Sequence, residues 1–103
     1  MPKNLDYVLE FTPKAREDVR EIVLWYRGER EGLEDRFLLS LKASTDILLK
    51  NPRHYQIKFE SVRALLLKRF PYRLYYFMEG NLITVLGVVH TKRSPKLIRK
   101  RLK

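Results

Sequence analysis

FPYRLYYFMEGNLITVLGVVHTKR, residues 70–93, is the stretch that decides the fold. Two apolar runs flank the sequence Glu79-Gly80-Asn81, and apolar runs on either side of a short glycine-containing turn predict a β-hairpin. If Glu79 and Gly80 form a two-residue loop, Met78 pairs with Asn81. A different loop would change which residues pair across the hairpin.

Alternation along the two strands predicts two different faces for the hairpin. The first face is apolar and is expected to pack on the core: Leu74, Tyr76, Met78, Ile83, Val85 and Val89. The second face is a candidate functional face of mixed chemistry: Arg73, Tyr75, Phe77, Thr84 and His90, beside Leu82, Leu86 and Val88.

The rest of the chain predicts a strand, two helices and a further strand. Residues 5–11 alternate like a half-buried strand. Amphipathic helices follow from Pro13 to near Arg30 and from Leu33 to Lys50, and their short connection predicts an αα-hairpin. Residues 54–61 are expected to be an irregular polar connection. Residues 62–69 then form a strand that enters the hairpin. In this strand Ala64 and Leu66 are assigned to the apolar face. Arg63, Leu65 and Leu67 are assigned to the second face.

The predicted fold class is α+β. An N-terminal strand, the αα-hairpin and an antiparallel three-stranded meander place the helices on one face of a four-stranded sheet. The second face is expected to stay open. Residues 1–103 form a single domain, with a short basic tail from about residue 95 that could form a helix beginning at Ser94-Pro95.

Charge is distributed unevenly over a net +10. Residues 1–51 hold 9 Lys and Arg and 10 Asp and Glu, whereas residues 52–103 hold 13 and 2. Such asymmetry predicts an acidic partner, either nucleic acid or an acidic protein segment. A basic charge that serves only solubility is the alternative.

Several classes of function lack support in the sequence. Cysteine is absent and only two histidines occur, so we expect no metal or other cofactor. No nucleotide-binding or zincin motif is present. Without a signal peptide or a run of about 20 apolar residues, the chain is expected to be cytoplasmic and to have no membrane partner.

The remaining candidate residues fit metal-free RNA cleavage. Glu60 would act as base and His90 as acid, while Arg73 would stabilise charge at phosphorus. The other candidates for binding RNA and phosphate supply positive charge or stack on bases: Lys58, Arg63, Arg69, Tyr75, Phe77, Lys92 and Arg93. Each residue has a structural alternative, such as an ion pair for Glu60 or aromatic cover for the two rings. In the register above, His90 lies opposite Arg69, about 13 Å along the strand from Arg73.

Two stretches of the chain resemble the RelE/ParE toxin superfamily, whose members are also called plasmid stabilisation proteins. They are the run VRALLLKRFPYRLYYFMEGNLITVLGVVHTKRSP and the opening FTPKAREDVREIVLWY. The resemblance extends from about Leu5 to Pro95. It implies the toxin of a type II toxin–antitoxin module, with an acidic cognate antitoxin that folds on the toxin surface.

The superfamily includes two activities. RelE-like members cleave mRNA in the ribosome, and the YoeB-like branch is similar in using a glutamate, an arginine and a histidine roughly where Glu60, Arg73 and His90 lie. This resemblance implies a metal-independent, ribosome-associated mRNA endoribonuclease. However, FPYRLYY and VVHTKRSP are at least as similar to ParE-like proteins, which inhibit DNA gyrase without catalysis. A homologue that has lost toxicity and only binds antitoxin is a third alternative.

Overall fold

Five strands form one mixed sheet with helices on both faces, in a computed structural model that describes residues 6–102. In chain order the elements are β1 (Val8–Phe11), α1 (Pro13–Glu29), α2 (Leu33–Lys50), β2 (Ile57–Phe59), β3 (Val62–Leu66), β4 (Tyr72–Glu79), β5 (Leu82–His90) and α3 (Lys96–Arg101). The strand order is β1-β5-β4-β3-β2. Strand β1 pairs with β5 in parallel, and the other neighbours are antiparallel. The α+β class is therefore confirmed.

The αα-hairpin covers the first face of the sheet, as predicted. Helix α1 begins at Thr12, whose Oγ1 accepts a hydrogen bond from Ala15 N at 3.1 Å, and Pro13 occupies the first position, where no N–H is needed. The two helices bury their apolar stripes against β4 and β5, together with Tyr7, Leu9 and Phe11 near the start of the chain. Leu5, the first residue of the predicted strand, lies outside the described residues.

The sheet has one strand more than expected. The segment 54–61, predicted to be irregular, contains β2, which pairs with β3 at the edge of the sheet. This strand is three residues long and its pairing is irregular. Three residues are too few for alternation to be recognised in a sequence.

The alternation of β3 is the reverse of the prediction. Arg63 pairs with Tyr76, which places Arg63, Leu65 and Leu67 on the first face. Val62 and Ala64 are instead buried on the second face, and Leu66 is exposed. Because both faces of this strand carry apolar residues, its sequence fits either phase equally well.

The register of the β4–β5 hairpin also differs from the prediction. The loop is Gly80-Asn81, with Glu79 opposite Leu82, so Met78 pairs with Ile83. Gly80 has φ +60°, a conformation that glycine adopts without steric cost.

A bulge then inverts the alternation of β5. Tyr76 pairs with Val85, but Tyr75 pairs with Gly87, so Leu86 is an additional residue in β5. Beyond the bulge, Tyr72 pairs with His90 and Arg73 with Val89. The inversion corrects three assignments: Val88 and His90 lie on the first face, and Val89 lies on the second.

The second face is covered, not open, because α3 packs on it. Ile98 is fully buried against a cluster from four strands: Phe59, Val62, Ala64, Tyr75, Leu86 and Val89. A Cβ at position 87 would lie 2.5 Å from Arg101 Nη1 and 2.6 Å from Ile98 Cδ1, so any larger residue there would force these side chains of α3 to shift. The segment expected to be a basic tail is thus part of the packed domain.

An ion pair joins α1 to α3 across the free edge of β5. Arg101 Nη1 and Nη2 lie 2.6 and 3.0 Å from the two carboxylate oxygens of Asp18. Asp18 also accepts a hydrogen bond from Val88 N, and Arg101 donates to Leu86 O. These bonds satisfy the strand edge where β1 has ended.

Burial of Tyr76 makes stability sensitive to alkaline pH. Burial raises the pKa of this phenol to about 12, although nearby Arg63 acts in the opposite direction. The neutral phenol therefore stabilises the folded state below about pH 10, and this contribution is lost as the pH rises from about 10 to 12. We expect the Tm measured by calorimetry to fall over that range, and to fall less in the Tyr76→Phe variant. Parallel curves for the two proteins would contradict this expectation.

Candidate functional site

Two loops meet at one end of the sheet and bring cationic side chains together. Thr91 N, after β5, donates to Pro71 O, before β4, at 2.9 Å. This end of the sheet carries five cations, and we call it the basic end: Lys68, Arg69, Arg73, Lys92 and Arg93.

The basic end is not neutralised within the described part of the chain. None of its five residues belongs to an ion pair there, and Arg73 Nη1 lies 3.4 Å from a backbone acceptor, Thr91 O. Glu79, one of the two acids of the basic half, lies at the opposite end of β4. Unpaired cations on two fixed loops produce a positive potential that attracts an anionic partner.

His90 points away from Arg73. Its Nδ1 accepts a hydrogen bond from Lys92 N at 3.1 Å, and its ring packs edge-on to that of Tyr72 at 5.6 Å. Tyr72 is itself held neutral, because burial, and next its hydrogen bond with Tyr26, raise its pKa far above the usual range.

The hollow beside His90 is an unfavourable place for a phosphate. It has a volume of about 280 Å³, and its charged lining consists of three carboxylates of α1 and two arginines: Glu17, Asp18, Glu21, Arg93 and Arg101. Arg101 is paired with Asp18, so two carboxylates and one arginine are left without a partner in the hollow. Carboxylates close to a phosphodiester repel it electrostatically.

Glu60 lies at the far end of the sheet from the basic end. It occupies the β2–β3 turn with φ +48°, and its carboxylate is 3.9 Å from Arg99 Nε. The register places Leu66 opposite Arg73, so this turn is at least four strand residues away, about 13 Å. The structure therefore does not bring Glu60, Arg73 and His90 together.

The remaining RNA-binding candidates divide between surface and interior. Tyr75 is buried beneath α3 and Phe77 is half-buried in the same cluster, so neither ring offers a free face to a base. Arg63 donates to Arg53 O and Tyr55 O, which holds the loop before β2 in place.

The structure assembles only part of the predicted set. Arg69, Lys92 and Arg93 join Arg73 at the basic end, while Lys58 is on the edge strand β2 and bonds to Gln56. Sequence reasoning missed Lys68, although its position directly before Arg69 was a usable signal.

Two further classes of site find no support in residues 6–102. No group of three or more His, Cys, Asp or Glu side chains lies together as metal ligands do. No helix in this range has the length and apolar character that crossing a bilayer requires.

Comparison with known proteins agrees with this architecture. The family model for ParE toxins of the type II toxin–antitoxin system parDE matches residues 9–95. A chain of the chromosomal ParDE system from P. aeruginosa superposes with a TM-score of 0.70 at 21% identity, covering 82% of this chain and 96% of that one. No curated protein matches significantly.

RelE structures from E. coli share the fold as well. A chain of the intact RelBE toxin–antitoxin complex has a TM-score of 0.61 at 20% identity, covering 84% of this chain and 99% of that one. The isolated RelE toxin has the same TM-score and identity, covering 94% and 99%.

Proposed function

This chain belongs to the ParE family of type II toxin–antitoxin toxins, and we propose that it acts by binding and inhibiting DNA gyrase rather than by cleaving RNA. One observation carries this choice, the bulge at Leu86 that turns His90 to the opposite face from Arg73.

Metal-free RNA cleavage needs a base, an acid and a cation around one phosphate. A general acid or base must come within about 3 Å of the proton that it transfers, directly or through one water molecule. Here the candidate base Glu60 and the cation Arg73 lie about 13 Å apart along the sheet. The candidate acid His90 lies on the opposite face of the sheet from Arg73, beside a hollow that is lined in part by carboxylates of α1. This arrangement favours a toxin that works by binding.

The basic end is the surface that we assign to the target. The backbone that carries its cations is fixed by paired strands and by the Thr91–Pro71 hydrogen bond, so little backbone entropy is lost when a partner binds. Complementary charge on the partner would accelerate association and select the orientation of docking.

The second partner that we propose is an acidic cognate antitoxin. Toxins of this family pair with an antitoxin, and solved complexes such as RelBE support such a partner. A strongly basic half, with 13 cations and 2 acids, is complementary in charge to an acidic antitoxin.

Supercoiling by purified gyrase tests the proposal. We expect the purified toxin to inhibit supercoiling of relaxed plasmid in proportion to its concentration, and induced cells to show altered plasmid topology with intact mRNA. Undisturbed supercoiling together with new mRNA ends that map to translated codons would overturn the proposal in favour of the ribonuclease.

Replacement of His90 by alanine is expected to leave toxicity unchanged, because its ring lies on the opposite face of the sheet from Arg73 and is not one of the five cations of the basic end. Growth after induction, measured over a range of inducer concentrations, should match the parent protein within about twofold. A ribonuclease that used His90 as general acid would lose about 10²–10⁴-fold in rate. A clear loss of toxicity in a variant with unchanged Tm would therefore contradict the binding mechanism.

A further inference from the structure

Helix α3 divides its side chains between the sheet and the solvent. Leu97 and Ile98 pack on the second face of the sheet, and Arg101 turns inward to Asp18. The remaining residues of the helix are exposed cations, and we call them the α3 strip: Lys96, Arg99 and Lys100. The exposed residues of this helix therefore all carry positive charge.

The local structure holds the α3 strip in place. Ser94 Oγ accepts a hydrogen bond from Lys96 N at 3.1 Å, at the start of the helix. The guanidinium of Arg99 lies 4.9 Å from the centre of the Phe59 ring, which keeps it close to the sheet. Residues three and four apart are neighbours on a helix, so the three cations form one group, with Lys96 and Lys100 about 6 Å apart along the axis.

Little negative charge lies near the α3 strip. Glu60, at 3.9 Å from Arg99, is the one carboxylate that pairs with these cations in residues 6–102, and both of those side chains are more than half exposed. Lys96 and Lys100 form no ion pair in that range. The sequence contains no Asp or Glu after Glu79. The strip thus extends the positive potential of the basic end, which precedes it in the chain.

The occupant that suits this strip is a polyanion that needs no apolar contact. Protein interfaces usually have an apolar centre, but no large apolar residue is exposed between residues 91 and 101. Helices that lie on membranes insert an exposed apolar side, whereas Ile98 is fully buried here. Nucleic-acid interfaces are instead polar and strongly positive, and they are formed largely with phosphate oxygens. These features favour a nucleic acid over an acidic protein or a membrane.

We propose that the α3 strip contacts the phosphate backbone of the DNA duplex on which gyrase acts. Phosphates recur about every 3.4 Å along the axis for each strand, so cations spread over about 6 Å of α3 can contact neighbouring phosphates. The inference rests on the proposed function, because the choice of DNA follows from gyrase as the target. It adds a second partner to that target: the basic end contacts the enzyme, and the α3 strip contacts the DNA.

Neutralisation of the strip tests the contact directly. Lys96→Gln/Lys100→Gln removes two charges from α3, whereas Arg16→Gln/Arg20→Gln removes two from exposed positions of α1 that line neither cavity beside α3. Fluorescence anisotropy measures binding of the full-length toxin to a labelled duplex of about 20 base pairs at several salt concentrations. We expect the α3 variant to bind at least about tenfold more weakly at low salt, and the α1 variant to change less than about twofold.

The salt dependence counts the contacts that are lost. Each phosphate contact of a lysine contributes about 1 to the slope of the logarithm of affinity against the logarithm of salt concentration, so Lys96→Gln/Lys100→Gln should reduce the slope by about 2. Each single variant should reduce it by about 1. Glutamine and lysine have similar helix propensities and both positions are exposed, so the Tm should match the parent.

A second measurement separates this inference from the proposed function. Binding of the toxin to gyrase is compared with and without a linear duplex, and DNA should strengthen binding of the parent but not of Lys96→Gln/Lys100→Gln. If the toxin binds the duplex through α3 but does not inhibit gyrase, gyrase is refuted as the target and the phosphate contact remains. If the toxin inhibits gyrase while the parent and the α3 variant bind the duplex alike, the α3 contact is refuted and the target remains.

Three further results would overturn the inference. A loss in Arg16→Gln/Arg20→Gln as large as that in the α3 variant would show that net charge, and not the α3 strip, decides the affinity. Tighter binding of the toxin to single-stranded RNA of the same length would assign the strip to RNA. Sedimentation with vesicles of anionic phospholipid that depends on Lys96 and Lys100, without binding to the duplex, would assign it to a membrane.

Discussion

Replacement of Arg101 by alanine is expected to lower the free energy of unfolding by about 3–5 kcal/mol, because it leaves the carboxylate of Asp18 largely buried without its cation. The side chains of Arg101 and Asp18 are only 15% and 14% exposed. The variant also loses the hydrogen bond to Leu86 O at the edge of β5. Small domains have only about 5–15 kcal/mol of stability in total, so α3 should detach and the Tm should fall by more than 10 °C.

Urea denaturation followed by circular dichroism measures the Arg101 effect. Lys42→Ala is the control, since its pair with Asp46 is a solvent-exposed i,i+4 contact that contributes less than about 1 kcal/mol. An Arg101→Ala variant within 1 kcal/mol of the parent would mean that α3 is held by Ile98 and its apolar neighbours alone, without the ion pair.

Charge reversal at the basic end is expected to weaken inhibition of gyrase at least tenfold and to reduce toxicity accordingly. The double variant Arg69→Glu/Lys92→Glu changes two exposed side chains that form no ion pair in the described chain, so the fold should be preserved. Groups of the partner that attract Arg69 and Lys92 in the parent would repel the two glutamates. We therefore expect that half-inhibition of gyrase needs at least tenfold more toxin, a loss of roughly 1.4 kcal/mol of binding free energy.

The matched control for charge reversal is Lys14→Glu/Arg20→Glu on α1. It makes the same change in net charge at exposed positions away from the basic end. Equal losses in both double variants would attribute the effect to net charge, and the basic end would then have no specific role. Inhibition curves measured at two salt concentrations add a check, because attraction between exposed charges weakens as salt rises.

Local patterns were sufficient for the parts of the fold that have one exposed and one buried side. The Thr12-Pro13 start of α1, the apolar stripes of both long helices and the apolar face of β4 all follow from periodicity and capping. The charge asymmetry between residues 1–51 and 52–103 predicts an acidic partner, and the acidity of that partner stays a prediction.

Sequence alone determined that the chain is an α+β domain with a basic hairpin. Only the tertiary structure decided which side chains meet, because the bulge at Leu86 depends on pairing between strands and reverses every assignment beyond it. The same holds for α3, whose docking through Arg101 and Asp18 joins residues that are 83 positions apart. Contacts over such a distance leave no local periodicity in the sequence, so the separation of His90 from Arg73 and the covered second face became evident only in three dimensions.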